Sequence, residues 1–108
     1  KFYKILAKEP LIMGTDQKDI FEVKRLNDDH TEVTVRRASD GEVTFRRTFN
    51  RSETDKVILH GLAGDDVFEL IGEVRKGIKI TVVPGTGEDK VEDNSLVRGR
   101  KKKTVVVN

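Results

Sequence analysis

From Asp19 onward, apolar and polar residues alternate along the chain. DIFEVKRL sets Phe21 and Val23 against Glu22 and Lys24, and TEVTVRR sets Val33 and Val35 against Thr34 and Arg36. EVTFRRTF sets Val43, Phe45 and Phe49 against Thr44, Arg46 and Thr48. A period of two, rich in β-branched and aromatic residues, is the signature of strands. The interruptions are NDDH and the pair Asp40-Gly41, the latter a strong signal for a two-residue hairpin. The pattern predicts an antiparallel three-strand meander over 19–50 with one face in water. Ahead of it, KFYKILAKEP spaces Phe2, Ile5 and Leu6 as a helix would and stops at Pro10, which disfavours helix at the residue before it. A short helix followed by a connector, with Gly14 and Asp16 as turn residues, is expected over 1–18.

The remainder, 51–108, resembles itself. KVILH from Lys56 to His60 returns as KITVV from Lys79 to Val83, 23 residues later, and the same step carries Gly64 to Gly87, Asp66 to Asp89 and Phe68 to Val91. A further step from Val82 reaches Val105. Such a period is one supersecondary unit long. Stacked in register, the copies would lay Val57 on Ile80, Leu59 on Val82 and Val105, and Phe68 on Val91. A short β-solenoid needs such a ladder, because each layer buries the apolar face of the next. The alternative is an antiparallel sandwich whose hairpins look alike through shared β composition. On either reading the fold class is all-β, and 108 residues suit one domain.

Composition narrows the function. Hydrophobic residues make up 35% and charged residues 37%, with 21 Lys and Arg against 19 Asp and Glu. Near balance argues for solubility rather than nucleic-acid binding. The absence of cysteine excludes disulfides, zinc–thiolate sites and thiol catalysis. No apolar stretch approaches the roughly 20 residues of a membrane span. A start on Lys1 leads us to expect a segment of a longer protein.

The most distinctive phrase is HGLAGDDVFELIG, His60 to Gly72, with its counterpart around Gly87-Glu88-Asp89. Gly61, Gly64, Gly85 and Gly87 are expected as turn formers, since glycine tolerates φ > 0. Asp66 and Asp89 would then accept a backbone N–H, or face a cation together with Asp65 and Glu88. The phrase is similar to half of the calcium-binding nonapeptide repeat of β-roll proteins of the RTX type. Leu62 and Pro84 stand where that motif has glycine, and calcium wants 6–8 oxygens. Turn capping is therefore the favoured role and calcium the alternative cofactor. Asp65, Asp66 and Glu69 lack a separate acid/base partner, and His30 and His60 sit where surface or packing histidines do. No nucleophile elbow, P-loop or H-E-x-x-H is present, so no catalytic residue is assigned. The run RGRKKK, Arg98 to Lys103, could contact an anionic glycan or lipid. Without interleaved aromatics it reads more simply as a solvated turn whose lysines discourage edge pairing.

Taken together, YKILAKEPLIMGTDQKDIFEVKRL, RTFNRSETDKVILHGLAGDDVFELIG, IKITVVPGTGEDKVEDNS and KKKTVVVN resemble a middle segment of large Bacteroidetes envelope proteins. Those proteins join a calcineurin-like metallophosphoesterase to a BamA-like surface-antigen outer-membrane barrel. The resemblance covers nearly the whole chain and is densest from Arg47 to Ser95. It implies a periplasmic or cell-surface module, held to the membrane only through its parent, with the phosphoesterase ligands outside this stretch. The expected role is a non-catalytic linker that positions neighbouring domains of the same chain, the alternative being a calcium- or anionic-ligand-binding module.

Overall fold

The structure is a computed structural model that describes residues 9–98 and 103–107. Among these residues there are strands and no helix. The strands are β1 (Leu11–Met13), β2 (Asp19–Arg25), β3 (His30–Arg37), β4 (Val43–Asn50), β5 (Lys56–His60) and β6 (Val67–Ile71), followed by β7 (Glu73–Val74), β8 (Lys79–Val83), β9 (Lys90–Asp93), β10 (Leu96–Val97) and β11 (Thr104–Val106). The all-β expectation holds. The helix expected near the N-terminus falls mostly on residues 1–8, outside those described, and Glu9 and Pro10 are not helical. The presumed connector contains β1, because Leu11–Met13 pair with Ile58–His60. A partner far along the chain supplied the backbone hydrogen bonds that local pattern could not reveal.

The three strands of the meander formed as expected, β2, β3 and β4 pairing antiparallel. The second hairpin turns through Ala38 to Gly41 rather than through two residues: the Arg37 N–H donates to the Glu42 carbonyl at 2.8 Å, and Gly41 takes φ 74°. What the alternation did not disclose is that β2 also pairs parallel with β6, so the meander and the later strands share one sheet in the order β4-β3-β2-β6-β9. A second sheet, β1-β5-β8-β11, is parallel throughout, and β7 pairs parallel with β10.

The pairings of β5 with β8, β6 with β9 and β7 with β10 share an offset of 23 residues. Val57 lies beside Ile80 and Leu59 beside Val82 in one sheet, and Phe68 lies beside Val91 in the other. All three neighbours are those expected from the 23-residue step. The fourth is not: Val82 meets Val106, while Val105 meets Thr81. The segment leading to β11 is one residue longer, and a one-residue slip turns each side chain to the opposite face.

Side chains from both large sheets meet in one core, in which Phe21, Val57, Leu59, Phe68, Leu70, Ile80 and Val82 are fully buried. The rings of Phe21 and Phe68 stack with centroids 4.6 Å apart, an arrangement worth about 0.5–1.5 kcal/mol beyond the area it buries. Arg25 is also buried, at the end of β2. Its Nη1 donates to the Ile78 carbonyl at 2.8 Å and its Nη2 to the Lys103 carbonyl at 3.4 Å. Burial pulls its pKa below the ordinary arginine value, and the nearby Asp93 carboxylate pushes the other way. One cation thus ties β2 to the segments that open β8 and β11. A buried charge would be costly to strand, and here two carbonyls and the Asp93 carboxylate answer it.

Candidate functional site

The acidic corners lie side by side. The pairing of β2 with β6 and of β6 with β9 brings Asp19, Asp66 and Asp89 into one column at the starts of three neighbouring strands. The Asp19 N–H donates to Asp66 Oδ1 at 2.8 Å, and the Asp66 N–H donates to Asp89 Oδ1 at 2.8 Å. Each carboxylate therefore satisfies the backbone of the preceding strand's corner rather than of its own turn. Outside the column, Asp65 Oδ1 accepts the Glu88 N–H at 2.9 Å, again between neighbouring corners. Capping was expected; capping across strands was not. Asp19 adds a local variant, its Oδ2 accepting the Thr15 N–H at 2.6 Å and the Thr15 hydroxyl at 2.9 Å.

Gly61 belongs to this corner through close approach. A Cβ there would lie 2.5 Å from Asp66 Oδ2 and 2.5 Å from the Pro84 carbonyl oxygen, with the Phe68 ring next in line. Gly14 stands in the same relation to Asp19 and Phe21. Gly64, Gly85 and Gly87 all take positive φ, as turn formers should. Leu62, 23 residues before Gly85, takes φ 65° without being glycine. That conformation costs an L-residue about 1–2 kcal/mol.

Asp66 is fully buried, and its Oδ2 finds no hydrogen-bond donor among the described residues. Burial pushes its pKa up to about 6; the Asp19 N–H bond opposes this, and the Asp19, Asp89 and Asp65 charges add to it. The expected cation ligands divide into two kinds. Asp66 is inside and Asp89 half-buried, while Asp65 and Glu88 are exposed. Among the described residues no three His, Asp or Glu side chains converge as a metal would require. Glu69 is not brought to the corner either. It alternates with the buried Phe68 and Leu70, and pairs in register with Glu22 and Glu92.

The histidines are separate. His60 Nδ1 accepts the Leu62 N–H at 3.0 Å, while half-buried His30 contacts Asn27. Of the basic run, residues 99–102 lie outside those described. Arg98 pairs with Glu73 beside an open depression of about 470 Å³ that Asp28 and Arg75 also line.

Sequence reasoning missed Asp19 and Arg25, and read Gly14 only as a turn residue. A signal existed: Gly14-x4-Asp19-x-Phe21-Glu22 repeats as Gly61-x4-Asp66-x-Phe68-Glu69. The 47-residue separation hid it, because the β3–β4 hairpin lies between the copies. Comparisons with protein-family models, curated proteins and solved structures found no match.

Proposed function

We propose that the chain is a non-catalytic structural module: a short β-coil, interrupted once by the β3–β4 hairpin, that holds neighbouring domains of an envelope protein at a set distance. The observation that carries this reading is the shared register of the parallel pairings, in which β5 lies on β8 and β6 on β9 at the same offset. A stack whose layers contact only their neighbours behaves as a stiff rod with two ends. The aspartates fit the same role. Their carboxylates are spent on backbone N–H groups at corners where strands change sheet, a structural use of acid. The envelope setting, periplasmic or cell-surface, rests on the resemblance of the sequence alone.

Calcium bridging of the exposed Asp65 and Glu88 is the second reading, favoured by the adjacency of their corners, where the Glu88 N–H donates to Asp65 Oδ1 at 2.9 Å. Calorimetric titration with calcium, alongside thermal melting of Gly64→Val, separates the two. On the spacer reading calcium gives no heat of binding, and the variant melts well below the parent. The Gly64 Cβ would lie 2.8 Å from the Gln17 backbone at φ 94°. A saturable calcium isotherm with a raised melting temperature overturns the passive spacer, and unchanged melting of Gly64→Val overturns the corner assignment.

A further inference from the structure

Two equivalent corners differ at a single hydrogen bond. The pairing of β1 with β5 and of β2 with β6 at one 47-residue offset makes Gly14, Thr15 and Asp19 the counterparts of Gly61, Leu62 and Asp66. In the earlier corner the Thr15 N–H donates to Asp19 Oδ2 at 2.6 Å. In the later one the Leu62 N–H turns away, to His60 Nδ1 at 3.0 Å. Asp66 Oδ2 is left without a donor among the described residues, although the side chain is fully buried. That orphan oxygen lies against Gly61, the residue before Leu62. Leu62 holds φ 65°, whereas Thr15 takes no positive φ. An unpaired buried acceptor and a left-handed leucine each cost free energy, and one imidazole maintains both.

The residue that diverts the bond is particular to this corner. His60 lies in register between Met13 of β1 and Val83 of β8, whose side chains have no nitrogen or oxygen. A ring nitrogen accepts an N–H only while it carries no proton, so the bond to Leu62 requires a neutral imidazole with its hydrogen on Nε2. Uptake of a proton from water at Nδ1 turns that acceptor into a donor and sets two N–H groups against each other. The equivalent corner shows where the Leu62 N–H goes instead: to the second oxygen of its own aspartate. The charged side chains around the joint are Asp16, Lys18 and Asp19 in the corner before it, Asp65 and Asp66 in the turn itself, and Glu88 and Asp89 in the corner after it. Movement at Leu62 is felt by the next layer, because its carbonyl accepts the Thr86 N–H at 2.9 Å and closely faces Gly85.

Resting on the coil reading above, we infer that His60 is a proton-operated latch at the joint between the β5–β6 layer and the β8–β9 layer. Neutral His60 holds Leu62 in its left-handed turn. Protonated His60 releases it, the Leu62 N–H passes to Asp66 Oδ2, and the support under Thr86 loosens.

The test follows the isotope-labelled chain by nuclear magnetic resonance as the pH is lowered, with the His60 ring resonances reporting its own proton. The expected result is a ring that begins with its hydrogen on Nε2, and a Leu62 amide that shifts with the same midpoint as the ring. Protection of the Thr86 amide from exchange, corrected for the intrinsic effect of pH, should fall roughly tenfold over that step. Asp66→Asn keeps an oxygen and removes the titration of Asp66 itself, so in that variant the Leu62 shift should persist and still track the ring. In His60→Met, which copies Met13, the Leu62 amide should start in its shifted position and no longer follow the step. A ring with its hydrogen on Nδ1, a Leu62 amide unmoved while the ring titrates, or a shift that vanishes in Asp66→Asn each overturns the latch. Contacts between β5 and β8 amides test the coil independently. If those are present and the Leu62 amide stays still, the latch fails while the spacer stands.

Discussion

Two neighbouring corners, one running from Gly61 through Asp66 to Phe68 and the other from Pro84 through Asp89 to Val91, occupy equivalent places in adjacent strands yet differ in tightness. At the first, the key side chains are buried: Phe68 stacks on Phe21, Asp66 is enclosed, and Gly61 leaves no room for a Cβ. At the second, Val91 replaces the ring, Asp89 is half-buried, and Pro84 replaces the glycine. The glycine is needed where an aromatic ring and a buried carboxylate crowd the corner. Where a smaller, half-buried Val stands, a residue with a side chain fits. The corner motif thus tracks burial.

The largest break in this comparison should come from the rings. Phe68→Ala removes a fully buried aromatic ring and its stacking on Phe21, and is expected to cost about 3–5 kcal/mol. Val91→Ala, at the half-exposed equivalent, should cost about 1 kcal/mol or less. Denaturant titration of both variants measures the gap. Equal losses would show that the two corners are energetically alike, contrary to the packing.

A subtler break uses protons. The folded-state pKa of Asp66 is about 6, above the ordinary 3.8, so the folded chain holds this proton more tightly than the unfolded one does. The sign follows from linkage: this contribution to stability is fully present below about pH 4 and is lost as pH rises through about 6. Melting temperature should therefore fall between about pH 4 and about pH 6 and level off above that. Asp66→Asn, which keeps an oxygen for the Asp19 N–H, should remove most of that fall. Asp89→Asn, on the looser corner, should leave the profile close to that of the parent. A parent profile that is flat across this interval would show that burial does not raise the Asp66 pKa.

How far the sequence disclosed these corners depends on how local each feature is. The period of two exposed the meander, and Asp40-Gly41 placed its turn, because both are encoded within a few residues. The step linking KVILH to KITVV was visible because nothing intervenes between those copies. It placed Val57, Leu59 and Phe68 beside their observed neighbours. β1 and the place of Asp19 were hidden by the inserted hairpin, which made an equivalent corner look like the start of an unrelated meander. The helical spacing of Phe2, Ile5 and Leu6 gave no warning that Leu11–Met13 would join a parallel sheet, since a three-residue strand has no period of its own. The slip at β11 was equally illegible. One additional residue in a lysine-rich connection leaves the run TVVV unchanged as a pattern while exchanging which valine faces inward.

The smallest expected effect is also the cleanest comparison of the two corners, because it concerns one backbone angle. Gly85 takes φ 85° at no steric cost, and a Cβ there would collide with the Leu62 carbonyl. Leu62, its equivalent one strand earlier, holds φ 65° against the preference of an L-residue. Replacing it by glycine relieves about 1 kcal/mol of strain. The same replacement gives the unfolded chain more freedom, which offsets up to about 1 kcal/mol. Leu62 is also half-buried, so little apolar area is lost. The net change for Leu62→Gly should therefore lie within about 1 kcal/mol of zero, against the severe loss expected of Gly85→Leu, where both the angle and the space are wrong. Melting curves of the pair decide the matter. A large loss in Leu62→Gly would mean that the leucine side chain, rather than the left-handed turn, is what this corner requires.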